Sequence, residues 1–127
     1  MDTSKTSFMS IYADIILDHY ENPRNQKKLS NPTKSIKVDN PLCGDKIHME
    51  VKVEKGKITE ISFNSQGCAI STAGASILSE YVLGKTVEKL IDMSTDDVLG
   101  LLNIQLSPNR IKCALLGWEG LVKLINN

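Results

Sequence analysis

The chain has 127 residues, of which 41% are hydrophobic and 24% charged, enough apolar material to bury one core without disulfide staples. Fifteen basic residues balance fifteen acidic ones, and this zero net charge argues against a nucleic-acid partner; the one basic cluster, Arg24 to Lys28, reads as a solvated loop or a protein contact. No run approaches about 20 apolar residues and Met1 to Ser10 lacks a signal-peptide layout, so the expectation is a cytoplasmic chain with no membrane span.

The first element is an amphipathic helix over Phe8 to Tyr20, with Phe8, Tyr12, Ile15, Ile16 and Tyr20 at helical spacing. Asn22-Pro23 ends it, because the residue before a proline avoids the helical region. Arg24 to Ser35 is polar, carries Pro32 and reads as a loop. Strand periodicity follows: Ile36 and Val38 alternate with Lys37 and Asp39. Ile47, Met49, Val51 and Val53 likewise alternate with His48, Glu50, Lys52 and Glu54. Lys55-Gly56 is a hairpin turn, and Ile58, Ile61 and Phe63 mark the return strand.

After Gly67 the period becomes helical. Ile70, Ala73, Ile77, Leu78 and Tyr81 form a stripe that stops near Gly84. Thr86 to Ile91 is a short helix, Ser94 and Asp97 resemble a capping box, and Ser107-Pro108 opens a final helix. That helix carries Ile111, Ala114, Leu115, Trp118, Leu121, Val122 and Ile125 on its apolar face. The predicted architecture is one α+β domain over residues 1–127, a three-stranded antiparallel sheet with helices packed on one face.

Three cysteines in a reducing compartment are core residues, metal ligands or reactive thiols, not a disulfide frame. Each sits at a junction between elements. Cys43 lies in the turn Asn40-Pro41-Leu42-Cys43-Gly44-Asp45, Cys68 where the third strand becomes a helix, and Cys113 in the first turns of the last helix. Helix starts favour anions and so favour thiolates, which are good zinc ligands. Asp45 can face the same ion from the turn around Gly44 and supply a fourth ligand. Three thiolates, one carboxylate and a divalent ion sum to a charge of about −2, which Lys46, Arg110 and Lys112 are placed to offset. A hard oxygen donor among thiolates makes such a site more labile than an all-sulfur one. The spacings alone, 25 and 45 positions with no paired C-x-x-C, leave independent thiols open as an alternative. His19 reads as a helix-end residue capping carbonyls and His48 as exposed, neither as a ligand. Trp118 reads as core.

At these residues the chain resembles the U-type iron–sulfur biogenesis family, which comprises SufU, IscU and the NifU N-terminal domain. The matching segments are Tyr12 to Tyr20, Asn22-Pro23-Arg24-Asn25, Asn40 to Asp45, Gly67-Cys68-Ala69-Ile70-Ser71 and Arg110 to Leu115, in family order. The resemblance implies that Cys43, Asp45, Cys68 and Cys113 lie at one exposed end and bind Zn2+ or a transient [2Fe-2S] cluster. It also implies a cysteine desulfurase as partner, with downstream iron–sulfur assembly or acceptor proteins. IscU-like members carry His immediately before the third cysteine. Lys112 there, with Trp118 five residues beyond Cys113, is similar to SufU, whose members bind zinc and act as sulfurtransferases. The short segment around Asp92 to Pro108 departs from SufU proportions and is nearer IscU. The expected mechanism has Cys43, on its glycine-flanked turn, accept persulfide sulfur, with Cys113 as the alternative acceptor and Arg110 and Lys112 in support.

Overall fold

The computed structural model describes residues 14–41, 44–102 and 106–126. Its sheet is three-stranded and antiparallel in the order β1-β2-β3, with β1 Lys34–Asn40, β2 Asp45–Glu54 and β3 Lys57–Gln66. Residues 14–21 form helix α1. After β3 come α2 (Ala69–Val82), α3 (Val87–Ile91), α4 (Thr95–Leu102) and α5 (Pro108–Ile125). The predicted class, an antiparallel sheet with helices on one face, is the observed one.

The period-two pattern sets which side of the sheet is buried. Val38 pairs with Ile47, Ile36 with Met49, and Met49 and Val51 with Phe63 and Ile61, all turned toward the helices. Ile58 and Ile61 are three apart, a spacing a regular strand cannot bury on one face. A register shift between Lys52 and Val53 resolves this: Lys52 pairs with Glu60 but Val53 with Ile58, leaving Thr59 as the extra residue of a bulge. Lys55 and Gly56 turn the hairpin with φ of 52° and 75°, the positive values such a two-residue connection requires.

Alternation also corrects one expectation. Lys46 pairs with Asp39 and Gln66 on the face away from the helices, so it points opposite to Asp45 and does not offset charge at the cysteines. His48 shares that outer face and is half-buried rather than exposed.

Helix α2 is the centre of the molecule. It packs on α5, β3 and α4, and is buried nearly all round, including Ser71, Thr72, Ser76 and Ser79. The single apolar stripe read from its sequence therefore understates it; small hydroxyl residues let neighbours approach and satisfy their polar atoms locally. Ser79 donates to the Ser76 carbonyl at 2.7 Å, and Thr72 bonds Ser65 of β3 at 3.0 Å. Where α2 meets α5, a Cβ on Gly74 would stand 2.9 Å from the Ala114 carbonyl oxygen. Trp118 is core, as expected.

Helix α1 differs from its predicted stripe. Ile16 and His19 face inward, while Ile15 and Tyr20 are exposed; Phe8 and Tyr12 lie outside the described residues. The caps largely follow the sequence. Thr86 accepts from the Lys89 N–H, and Ser94 and Asp97 exchange reciprocal bonds at 3.0 and 3.2 Å. Ser107 stands at the N-cap of α5 ahead of Pro108, but its side chain makes no capping bond.

These packings set opposite signs for two similar substitutions. Gly74→Ala must push apart α2 and α5 against backbone and should lose about 1–3 kcal/mol. Gly100→Ala, in an α4 position open to solvent, should gain up to about 1 kcal/mol from helix propensity. Urea unfolding midpoints with unchanged slopes check both.

Candidate metal centre

Asp45 is the first residue of β2, and alternation turns its carboxylate under the β3–α2 junction, where it is 1% exposed. Burying a carboxylate is costly unless hydrogen bonds receive it. The Cys68 N–H, at the N-cap of α2, donates to Asp45 Oδ1 at 2.8 Å. Gly67 is what allows the approach: a Cβ there would overlap the Asp45 carboxylate.

The Cys68 thiol does not cap its own helix. Its backbone is extended, with φ −74° and ψ 165°, and Sγ lies 3.5 Å from Asp45 Oδ2 and 3.7 Å from Ser71 Oγ. The buried Ser71 hydroxyl donates to the Cys68 carbonyl at 3.1 Å, bracing the turn. Cys113 comes from α5, and one ligand atom each from Asp45, Cys68 and Cys113 lie within 4.8 Å of one another. Two soft thiols and a carboxylate at that separation suit a single zinc-type ion, whose bond lengths are about 2.0–2.3 Å. Cys43 lies outside the described residues. The chain carrying it leaves β1 at Asn40 and enters β2 at Asp45, and the Gly44 N–H closes that turn on the Asn40 carbonyl at 2.8 Å.

Cys113 is the sixth residue of α5 and 6% exposed, beyond the first turn in which the helix macrodipole acts. The expected electrostatic help from a helix start therefore applies to Cys68 by position but not to Cys113. Cys113 also belongs to an apolar cluster with Ile16, Ile70, Ala73, Leu102 and Ala114.

A cleft opens over the two thiols, lined by Asn40, Cys68, Ile70, Arg110, Lys112 and Cys113 among others. Arg110 and Lys112 are exposed on its wall, near the positive end of α5, whose first turn has no acidic residue. Cations there oppose the macrodipole, so helix stability does not account for their placement. Asn40 and Ser71 were not singled out from sequence; Gly67, quoted there beside Cys68, has a backbone role that only the Asp45 approach reveals. Of the two histidines, His19 is buried against α2 instead of capping carbonyls, with Nδ1 2.7 Å from Ser76 Oγ.

The fold and centre define a small α+β domain that gathers cysteine and aspartate side chains able to hold a metal ion. The chain matches the NifU-like N-terminal domain over residues 11–127 and belongs to that family. It is 33% identical over 131 residues to the zinc-dependent sulfurtransferase SufU of Bacillus subtilis, spanning 90% of this chain and 88% of that protein. It is 32% identical over 132 residues to the iron–sulfur cluster assembly scaffold protein IscU of Streptococcus pyogenes, spanning 91% and 82%. The crystal structure of a putative iron–sulfur cluster assembly scaffold protein for the SUF system from Fervidobacterium islandicum superposes with a TM-score of 0.74 at 25% identity, over 91% of this chain and 97% of that one. No helix among the described residues is long and apolar enough to cross a membrane.

Gly67→Ala should displace the Asp45 carboxylate and lower zinc affinity by about 10–100-fold, with an unchanged far-ultraviolet circular dichroism spectrum. Competition titration against a chromogenic chelator measures it.

Proposed function

We propose that this chain, read as one domain over residues 1–127, is a zinc-dependent sulfur acceptor in iron–sulfur cluster assembly. It receives sulfane sulfur from the persulfide of a cysteine desulfurase in the cytoplasm and passes it to downstream assembly proteins. The observation that carries this reading is the convergence of Asp45, Cys68 and Cys113 ligand atoms within 4.8 Å beside a cleft that the two cysteines line. Cys43 is assigned as the remaining ligand from its position two residues before Asp45. Lys112, where IscU-like members carry His, supports the sulfurtransferase side of the family.

Bound zinc would keep the sulfurs as thiolates and protect them from disulfide formation. The chain's own residues do the rest. Asp45, oriented by the Cys68 N–H, presents one oxygen toward the cysteines and leaves the other in its backbone bond. Ser71 fixes the Cys68 turn. Arg110 and Lys112 lower the cost of gathering thiolates at the cleft. The Cys43 thiolate attacks the protonated terminal sulfur of the donor persulfide; a new S–S bond forms on Cys43, the donor S–S bond breaks, and the donor cysteine leaves as thiolate. The terminal sulfur keeps its proton and its oxidation state, so no outside oxidant or reductant is consumed. Cys113, which lines the cleft, is the alternative acceptor.

Mass spectrometry of the full chain after turnover with a cysteine desulfurase should find the added sulfur on Cys43; sulfur found only on Cys113 rejects the assignment. Purified protein should hold about one zinc and raise desulfurase turnover. Asp45→Ala should weaken that effect at least about tenfold, by analogy with the loss of other ligand-orienting groups.

A second reading is favoured by the relatives named IscU scaffold proteins and by the short 45-position interval between Cys68 and Cys113. In it the same four residues hold a [2Fe-2S] cluster as cargo. Anaerobic reconstitution distinguishes the two: stable visible absorption with bound iron, and no stimulation of a desulfurase, supports the scaffold.

A further inference from the structure

Two inward residues of α1 do different things. Ile16 belongs to the apolar cluster that buries Cys113, together with Ile70, Ala73, Leu102 and Ala114. One turn later, His19 meets α2 in a polar tie. Its Nδ1 is 2.7 Å from Ser76 Oγ, and its Nε2 is 3.5 Å from Glu80 Oε1. The Nε2–H tautomer satisfies both contacts, leaving Nδ1 to accept the Ser76 hydroxyl proton. Ser76 Oγ in turn accepts the Arg24 backbone N–H at 2.9 Å, and Asn25 donates to Ser79 Oγ at 2.9 Å. The turn after α1 is thereby fastened to the same helix. Asn25 adopts φ 58°, and its carbonyl accepts the Phe63 N–H of β3, which anchors the turn to the sheet edge as well.

A serine, histidine and glutamate in sequence suggest a hydrolytic triad, but Ser76 is fully buried and admits no substrate. The arrangement is a fastening. We propose that α1 is a cover over the Cys113 side of the centre, latched to α2 by the His19–Ser76 bond, so that His19 and Ser76 are positioning residues governing access to Cys113. The consequence for sulfur loading rests on the function proposed above; the latch itself does not.

The charged groups facing His19 are Asp18 on its own helix, Arg24 in the following turn and Glu80 on α2. Burial holds the imidazole below its ordinary value and Arg24 acts in the same direction, while Glu80 and then Asp18 oppose them. Protonation turns Nδ1 into a second donor aimed at Ser76 Oγ, and the serine proton must find another acceptor. A histidine lowered on folding stabilises the docked state fully above its unfolded value of about 6.5; that contribution is lost as pH falls through 6.5 toward the lower folded value. The Asp18–Arg24 pair at 2.6 Å is half-exposed and acts as a weaker second fastening.

The test uses the full-length chain as purified. Hydrogen exchange by mass spectrometry reads protection of residues 14–21, corrected for intrinsic rate, and maleimide labelling at pH 8 reads Cys113 relative to Cys68. Ser76→Ala is expected to raise exchange across 14–21 and to raise Cys113 labelling several-fold relative to Cys68, with β2 and β3 amides unchanged. Wild type should hold α1 protection from pH 8 to pH 7 and lose it as pH falls from 7 to 5, and His19→Gln should abolish that step. Unchanged α1 exchange in Ser76→Ala overturns the latch; faster exchange with a flat Cys113 to Cys68 ratio overturns the cover; equal loosening of the sheet overturns both. Should Ser76→Ala not fold, the wild-type pH step and its loss in His19→Gln decide alone. None of these readouts involves a desulfurase, so their failure is separate from failure of the sulfur-acceptor reading.

Discussion

A buried carboxylate at the start of β2 organises the functional end of this protein. Asp45 is almost wholly removed from water, and the Cys68 N–H that receives it stands at the N-cap of the central helix. That bond therefore joins the sheet to α2 at the point where a thiol is also placed. Gly67 permits the approach by having no side chain. A carboxylate left there without such partners would cost several kcal/mol, so the fold and the ligand set depend on each other. The same arrangement divides the two carboxylate oxygens between structure and chemistry, one held by backbone, the other 3.5 Å from a thiol.

Helix α2 carries this organisation through the molecule. Its N-terminus holds Cys68 and Ser71 beside Asp45, its middle packs against α5 through glycine and alanine, and its serines 76 and 79 receive the turn after α1. Cys113 hangs from the α5 side of that close packing, within a cluster that α1 helps to close. The two cysteines differ in exposure. Cys68 is exposed at the N-cap of α2, whereas Cys113 is buried beside an apolar cluster.

Much of the fold was legible because strands and helices impose different periods on apolar residues. The alternation of Ile47 to Val53, the Lys55-Gly56 turn and the Ser94/Asp97 box each rest on local geometry, and each is found as read. The bulge at Thr59 was visible only as an odd spacing between Ile58 and Ile61. Helix α2 keeps the stripe read for it, but the burial of its small hydroxyl residues on the other faces carries no hydrophobic signal. His19 misled for a related reason: its partner, Ser76, is 57 positions away and carries no local signal. The convergence of Cys43, Asp45, Cys68 and Cys113 was argued from junction positions and family motifs; Asp45, Cys68 and Cys113 bring one candidate ligand atom each within 4.8 Å of one another, and Cys43 lies outside the described residues. Lys46 was assigned to the same centre by adjacency, and strand alternation sends it to the opposite face.

The central claim is that three sulfurs and one carboxylate oxygen share one ion. X-ray absorption at the zinc edge of the loaded protein tests it most directly. The account predicts three sulfur scatterers at about 2.3 Å and one oxygen at about 2.0 Å, with one sulfur lost in Cys43→Ser and the oxygen lost in Asp45→Ala. A shell with fewer than three sulfurs in the wild type, or one unchanged by either substitution, would contradict it.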